Sequence, residues 1–176
     1  MYDNPRLTPW RDWKEWEMVK GLLFSPDPNR QCRGIQHVAL WRTRGMIPHA
    51  VESTSRLVEF KLNDLRPGWE IGYIYRSEEE LRLISSMVVI RAVNGLTGHV
   101  QKSMVAAPVA SLAKEIGIPT WIVDIRHEAA HKELPTLVTL RLAADFLLTY
   151  FYEHYWSLQT EHMDFLVGAF GHLLDR

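Results

Sequence analysis

The chain has 176 residues, a formal net charge of −1, 47% apolar residues, 11% aromatic residues and one cysteine, Cys32. This length and composition suit one domain with a proper core and exclude a disordered chain. They also exclude an overall basic field that would draw in a polyanion, a disulfide framework and a thiolate zinc cluster.

The charge is unevenly spread. Residues 1–66 hold 11 basic and 8 acidic side chains, and the remainder holds 9 and 13. A nucleic-acid site would therefore rest on local arginines. Arg30, Arg33, Arg42 and Arg44 are candidates, although a solvated helix face accounts for any one of them equally well. "MYDNPRLTPW" has no apolar segment of the signal-peptide kind.

Helical periodicity runs through nearly the whole chain. Trp10, Trp13, Trp16, Val19 and Leu23 line one side of a first helix, with Thr8 as cap and Pro9 at the first helical position. "SPDPN" ends it. A second helix is predicted from Asn29 to Arg44, with Ile35, Val38 and Ala39 inward and Gly45 as the stop. Pro48 opens a third, with Val51, Thr54, Leu57 and Val58 on one face. "RPGWEIG" reads as a loop. Ser77 and Glu80 form a capping box for a helix over 78–100. That helix carries Leu81, Ile84 and Val88 on one side and Leu83, Met87 and Ile90 on another, which suits a central position. Pro108 and Gly117 bracket a short helix, and another begins near Thr120. A long helix is predicted from Pro135 to about Trp156, and a last one from about Glu161 to Leu174. Arg141 and Asp145 read as an i,i+4 pair within the apolar stretch 137–155 and argue against a membrane span. "WIVDI" could form a strand but would lack a partner. The sum is an all-α, single-domain bundle of roughly seven helices.

"DIRHEAAHKELP", residues 124–135, carries the chemistry. His127 and His131 are four residues apart, so a helix places them on one face, where one imidazole can act as base while the other acts as acid. Arg126 offers a planar fork suited to phosphate oxygens. RNA brings its own nucleophile, the ribose 2′-hydroxyl. Two histidines and an arginine then supply base, acid and positive charge without a metal or other cofactor, leaving a 2′,3′-cyclic phosphate and a 5′-hydroxyl. The same stretch contains His-Glu-x-x-His, a zinc-hydrolase pattern with Glu128 as general base. Against zinc, no extended third-ligand pattern follows, Glu153 is the only obvious downstream donor, and Pro135 ends the helix early. A salt-bridged solvated face, or a non-catalytic RNA- or protein-binding module, is the plainer reading of the stretch in isolation.

The surrounding residues add a resemblance. "GIPTWIVDIRHEAAHKELPTLVTLRLAADFLLTYFYEHYW" resembles the signature block of the Las-one family of pre-ribosomal-RNA endoribonucleases, members of the HEPN superfamily. "PWRDWKEWEMVKGLLFS", "GIQHVALWRTRGMIPHAVESTSRLVE" and "LRLISSMVVIRAVNGLTG" resemble further blocks of that family, in the same order. The resemblance implies an all-α HEPN bundle and metal-independent cleavage of precursor rRNA in the second internal transcribed spacer during large-subunit maturation. Arg126, His127 and His131 stand at the family's Arg-His-x-x-x-His positions and inherit the catalytic role. Glu128 and Asn94 are candidate supporting residues, and Lys132 joins the arginines as a candidate RNA contact. The resemblance further implies a homodimer with a composite active site, a polynucleotide 5′-kinase partner, and a nuclear and nucleolar location. Family members are generally much longer, so residues 1–176 are expected to be the excised catalytic domain, with little cutting on its own.

Overall fold

A computed structural model describes residues 8–65, 76–101 and 108–174. The elements are α1 (Trp13–Leu23), α2 (Pro28–Arg44), α3 (His49–Leu65), α4 (Glu78–Val100), α5 (Val109–Glu115), α6 (Thr120–His131), α7 (Leu137–Phe151), a π-helical turn (Tyr152–Ser157) and α8 (Leu158–Leu174). The architecture is all-α, with no strand among the described residues; "WIVDI" lies inside α6. Counting α7, the π turn and α8 as one rod gives seven helical rods among those residues, as expected. The loop predicted at 66–72 lies outside them. No helix among them is long and apolar enough to cross a membrane.

Local signals set most boundaries. Ser77 and Glu80 form the predicted capping box on α4. Asp27 caps α2, with Pro28 at its first turn, and Gly45 ends it. Helix α1 departs from expectation and begins at Trp13. Asp12 accepts from the Glu15 backbone N–H at 2.8 Å, and the Glu15 carboxylate accepts from the Arg11 N–H at 2.6 Å. The first bond satisfies an orphan donor of the helix and the second anchors the chain just ahead of it, whereas the Thr8 hydroxyl is spent on the Trp10 carbonyl.

The predicted break before Glu161 does not occur. The chain widens by one π turn and continues. The turn swings Trp156 fully into the core, 4.8 Å from Trp16 centroid to centroid. The Trp156 carbonyl accepts from Lys20 Nζ at 3.2 Å and from the Thr160 hydroxyl at 3.0 Å. An inserted residue that loosens the helical ladder is tolerated because those groups complete it. Arg141 and Asp145 do not pair with each other. Arg141 grips Asp64 with two bonds of 2.7 and 2.8 Å, and Asp145 meets Lys61 at 2.5 Å. Both contacts tie α7 to α3, since each side chain finds its opposite charge across the two helices, Asp64 for Arg141 and Lys61 for Asp145.

Trp16, Trp41 and Trp156 are the largest wholly buried side chains. The indole N–H of Trp156 donates to the Thr54 hydroxyl at 3.0 Å and that of Trp41 to Glu15 at 3.3 Å, so neither burial strands a donor. Trp41, rather than the exposed Ala39, completes the inner face of α2. Helix α4 is central, but neither predicted apolar face is wholly covered, since Ile84 is exposed on the same side as the buried Leu81. Leu81, Val89, Ala92 and Val93 point inward, while Leu83, Ile84 and Met87 are exposed.

The α3–α4 packing depends on Gly95. A β-carbon there would lie 2.0 Å from Cε1 of the His49 ring, whose Nε2 donates to the Ala92 carbonyl at 3.0 Å. Gly95→Ala is expected to cost about 1–2 kcal/mol despite alanine's better helix propensity, since the imidazole must give up that bond. A lowered urea midpoint would register this, and an unchanged or raised midpoint would refute the close packing.

Candidate active site

Helix α6 is oriented by its apolar stripe. Ile122, Val123 and Ile125 are buried, together with Ile118 just ahead of the helix. With 3.6 residues per turn, that stripe forces His127 and His131 outward. Both histidines are exposed and Arg126 is half-buried. The two rings sit 5.1 Å apart, centroid to centroid, at 53°. They can touch one small group from two sides.

Arg126 is held from the neighbouring helix. Its Nε donates to Oδ1 of Asn94 on α4 at 2.9 Å. This bond spends the inner nitrogen and leaves the two terminal ones uncommitted among the described residues. Asn94, singled out from the sequence only as a candidate supporting residue, is thus brought to the motif by tertiary packing of α4 on α6.

The end of the motif is also tied down. Helix α6 stops at His131, where the Lys132 N–H donates to the Glu128 carbonyl at 2.8 Å. The Arg82 guanidinium donates to the carbonyls of Leu134 and, at 3.0 Å, Pro135. Sequence reading passed over Arg82, because nothing local links it to carbonyls 52 and 53 residues away.

The remaining candidates fall elsewhere. Glu128 is exposed and its carboxylate meets neither histidine. Lys132, Arg30 and Arg33 are exposed. Arg42 pairs with Glu52 at 2.6 Å, and Arg44 with the buried Glu15 at 3.0 Å. These two arginines bind α2 to its neighbours, and no hydrogen bond or ion pair joins them to the motif. Among the described residues no three His, Cys, Asp or Glu side chains gather into a metal-holding group, and Glu153 lies exposed on the π turn.

Glu15 is the most perturbed group near these arginines. Burial alone raises its pKa. The Arg11 N–H, the Trp41 indole, the Arg44 guanidinium and its charge more than offset that and hold it at about 2.

The profile of the Las1-like family matches residues 8–158. The chain is 38% identical over 161 residues to "Protein LAS1" of Saccharomyces cerevisiae, covering 87% of this chain and 32% of that one. It is 34% identical over 158 residues to "Pre-rRNA-processing protein las1" of Schizosaccharomyces pombe, covering 86% and 31%. It is 35% identical over 157 residues to "Ribosomal biogenesis protein LAS1L" of mouse, covering 88% and 19%. The matched region thus spans about a third of each yeast relative and a fifth of the mouse one. With a profile match over most of its length, which takes in α1 through α7 and the π turn, the chain belongs to the Las1-like family.

Proposed function

We propose that this chain is a metal-independent endoribonuclease that acts in precursor-rRNA processing during ribosome biogenesis, in the nucleus and nucleolus. The observation that carries the reading is the pair of exposed imidazoles 5.1 Å apart beside a guanidinium anchored by Asn94. The name of the Schizosaccharomyces pombe relative, a pre-rRNA-processing protein, points to the substrate class, and that of the mouse relative to ribosome biogenesis.

One imidazole removes the proton from a ribose 2′-hydroxyl. The 2′-oxygen attacks the adjacent phosphorus, and a P–O2′ bond forms as the P–O5′ bond breaks. The other, protonated imidazole gives its proton to the departing 5′-oxygen. No water enters this step. The terminal nitrogens of Arg126 face the non-bridging oxygens, whose charge grows in the phosphorane. The ends are a 2′,3′-cyclic phosphate and a 5′-hydroxyl.

We place the cut in the second internal transcribed spacer and the bundle in the HEPN superfamily. A second copy of the chain completes the composite site, and a polynucleotide 5′-kinase acts on the 5′-hydroxyl end. The decisive experiment incubates labelled spacer RNA with the chain and its kinase partner in EDTA. Full activity with cyclic-phosphate ends is expected; loss of cutting in chelator, restored by zinc, would move the chain to the metallohydrolases.

A further inference from the structure

The uncovered apolar face of α4 does not stand alone. Leu83, Ile84 and Met87 line a groove of about 900 Å³ between α3 and α4, and the same groove is lined by Arg76, Arg91 and Asn94. Its size is at the upper end of small-ligand sites, about 300–1,000 Å³. Leu83, Met87 and Arg91 follow each other at i, i+4, i+8, and Asn94 lies one turn further. From residue 83 to residue 94 the helix rises roughly 16 Å. The groove therefore runs along α4 and ends at the amide that holds Arg126.

Its charges are unequally satisfied. The two acids in its wall, Glu52 and Glu59, are both paired with Arg56 at 3.0 Å. Arg91 is exposed and Arg76 half-exposed, and neither has a carboxylate or any hydrogen-bond acceptor among the described residues. Among the described residues the groove thus presents an apolar floor, two open guanidiniums and continuity with the reacting centre. Such a combination fits a single-stranded nucleotide, whose base needs an apolar surface and whose phosphate needs a cation.

We propose that the α3–α4 groove binds the RNA residues flanking the scissile bond, with Arg91 on the neighbouring phosphate and a base against Ile84 and Met87. The inference rests on the nuclease reading above. It adds a substrate-binding track outside the motif.

The test uses an RNA oligonucleotide with a 2′-deoxyribose at the cleavage position, which binds without being cut. Fluorescence anisotropy is measured for the wild-type chain, Arg91→Glu, Met87→Asp and His127→Ala, with circular dichroism and thermal melts confirming that each is folded. Arg91→Glu is expected to weaken binding about tenfold or more and to reduce the salt-dependence slope by about one. Met87→Asp should also weaken it, and His127→Ala should bind nearly as tightly as wild type. On cleavable RNA, Arg91→Glu should raise KM more than it lowers kcat. A folded Arg91→Glu protein with unchanged affinity and salt slope overturns the subsite, as does absence of binding by the wild-type chain. So does a Met87→Asp protein that loses a dimer in sedimentation while keeping its RNA affinity, since the groove then belongs to a contact between copies. Cutting by wild type with no Arg91 effect sinks only the subsite. Groove-dependent binding with no cyclic-phosphate product when the kinase partner is present sinks only the nuclease reading.

Discussion

Replacing His131 by alanine is expected to abolish RNA cleavage while leaving the fold intact, and His127→Ala is expected to do the same. Both rings are exposed and lie on the outward face of α6, so neither substitution opens a cavity or strands a buried partner. A melting temperature within a degree or two of wild type should accompany the loss. Removing either imidazole takes away the base or the acid of a one-step displacement, worth about 10²–10⁴-fold each. Arg126→Ala should slow cutting by about 10²–10³-fold, because it removes charge aimed at the transition state. Asn94→Ala should cost less than Arg126→Ala, since the guanidinium remains but is no longer held by its Nε. Single-turnover rates on spacer RNA, with the kinase partner present, check the series. Normal rates from His131→Ala would reject the assignment of the site.

Glu15→Ala is expected to be strongly destabilising, at about 3 kcal/mol. The carboxylate is buried and receives the Arg11 N–H, the Trp41 indole and the Arg44 guanidinium. Its removal leaves the indole donor without an acceptor inside the core and Arg44 without its counter-charge. Part of the Arg44 side chain reaches solvent, which keeps the loss below that of a fully enclosed pair. For a chain of this length the melting temperature should fall by about 6–12 °C. The effect has a pH signature. The folded carboxyl titrates at about 2 against an ordinary value of 4.5. The stability that this charge contributes is fully present above the unfolded value and is lost as pH falls from about 4.5 towards 2. The gap in urea midpoint between wild type and Glu15→Gln should therefore be widest at neutral pH and close through that acid window. A gap that is constant with pH would mean that Glu15 acts by shape alone.

Much of the bundle is legible in the sequence because helices announce themselves locally. The Ser77–Glu80 box and Gly45 each act within one turn of the chain, so they place helix ends regardless of what packs nearby. The stripes Trp16–Val19–Leu23 and Val51–Thr54–Leu57 are buried as their spacing demands. The errors arise where a distant group intervenes. Arg141 and Asp145 have the right spacing to pair, yet each finds a partner on α3. A break before Glu161 is reasonable from composition, but burial of Trp156 against Trp16 carries the helix onward through a π turn. Both apolar faces of α4 look equally suited to the core, and only packing reveals that Leu83, Ile84 and Met87 stay open.

The sequence by itself determined the helical class, the placing of His127 and His131 on one face with Arg126 beside them, and the family resemblance. All of these follow from residue type and a spacing of 3.6 per turn. Only the tertiary structure decided that Asn94 holds Arg126, that Arg82 secures the turn beyond His131, and that Arg42 and Arg44 are consumed by ion pairs. Those facts join residues 10 to 53 positions apart. A hydrogen bond across helices depends on where whole rods come to rest, and no local periodicity encodes that.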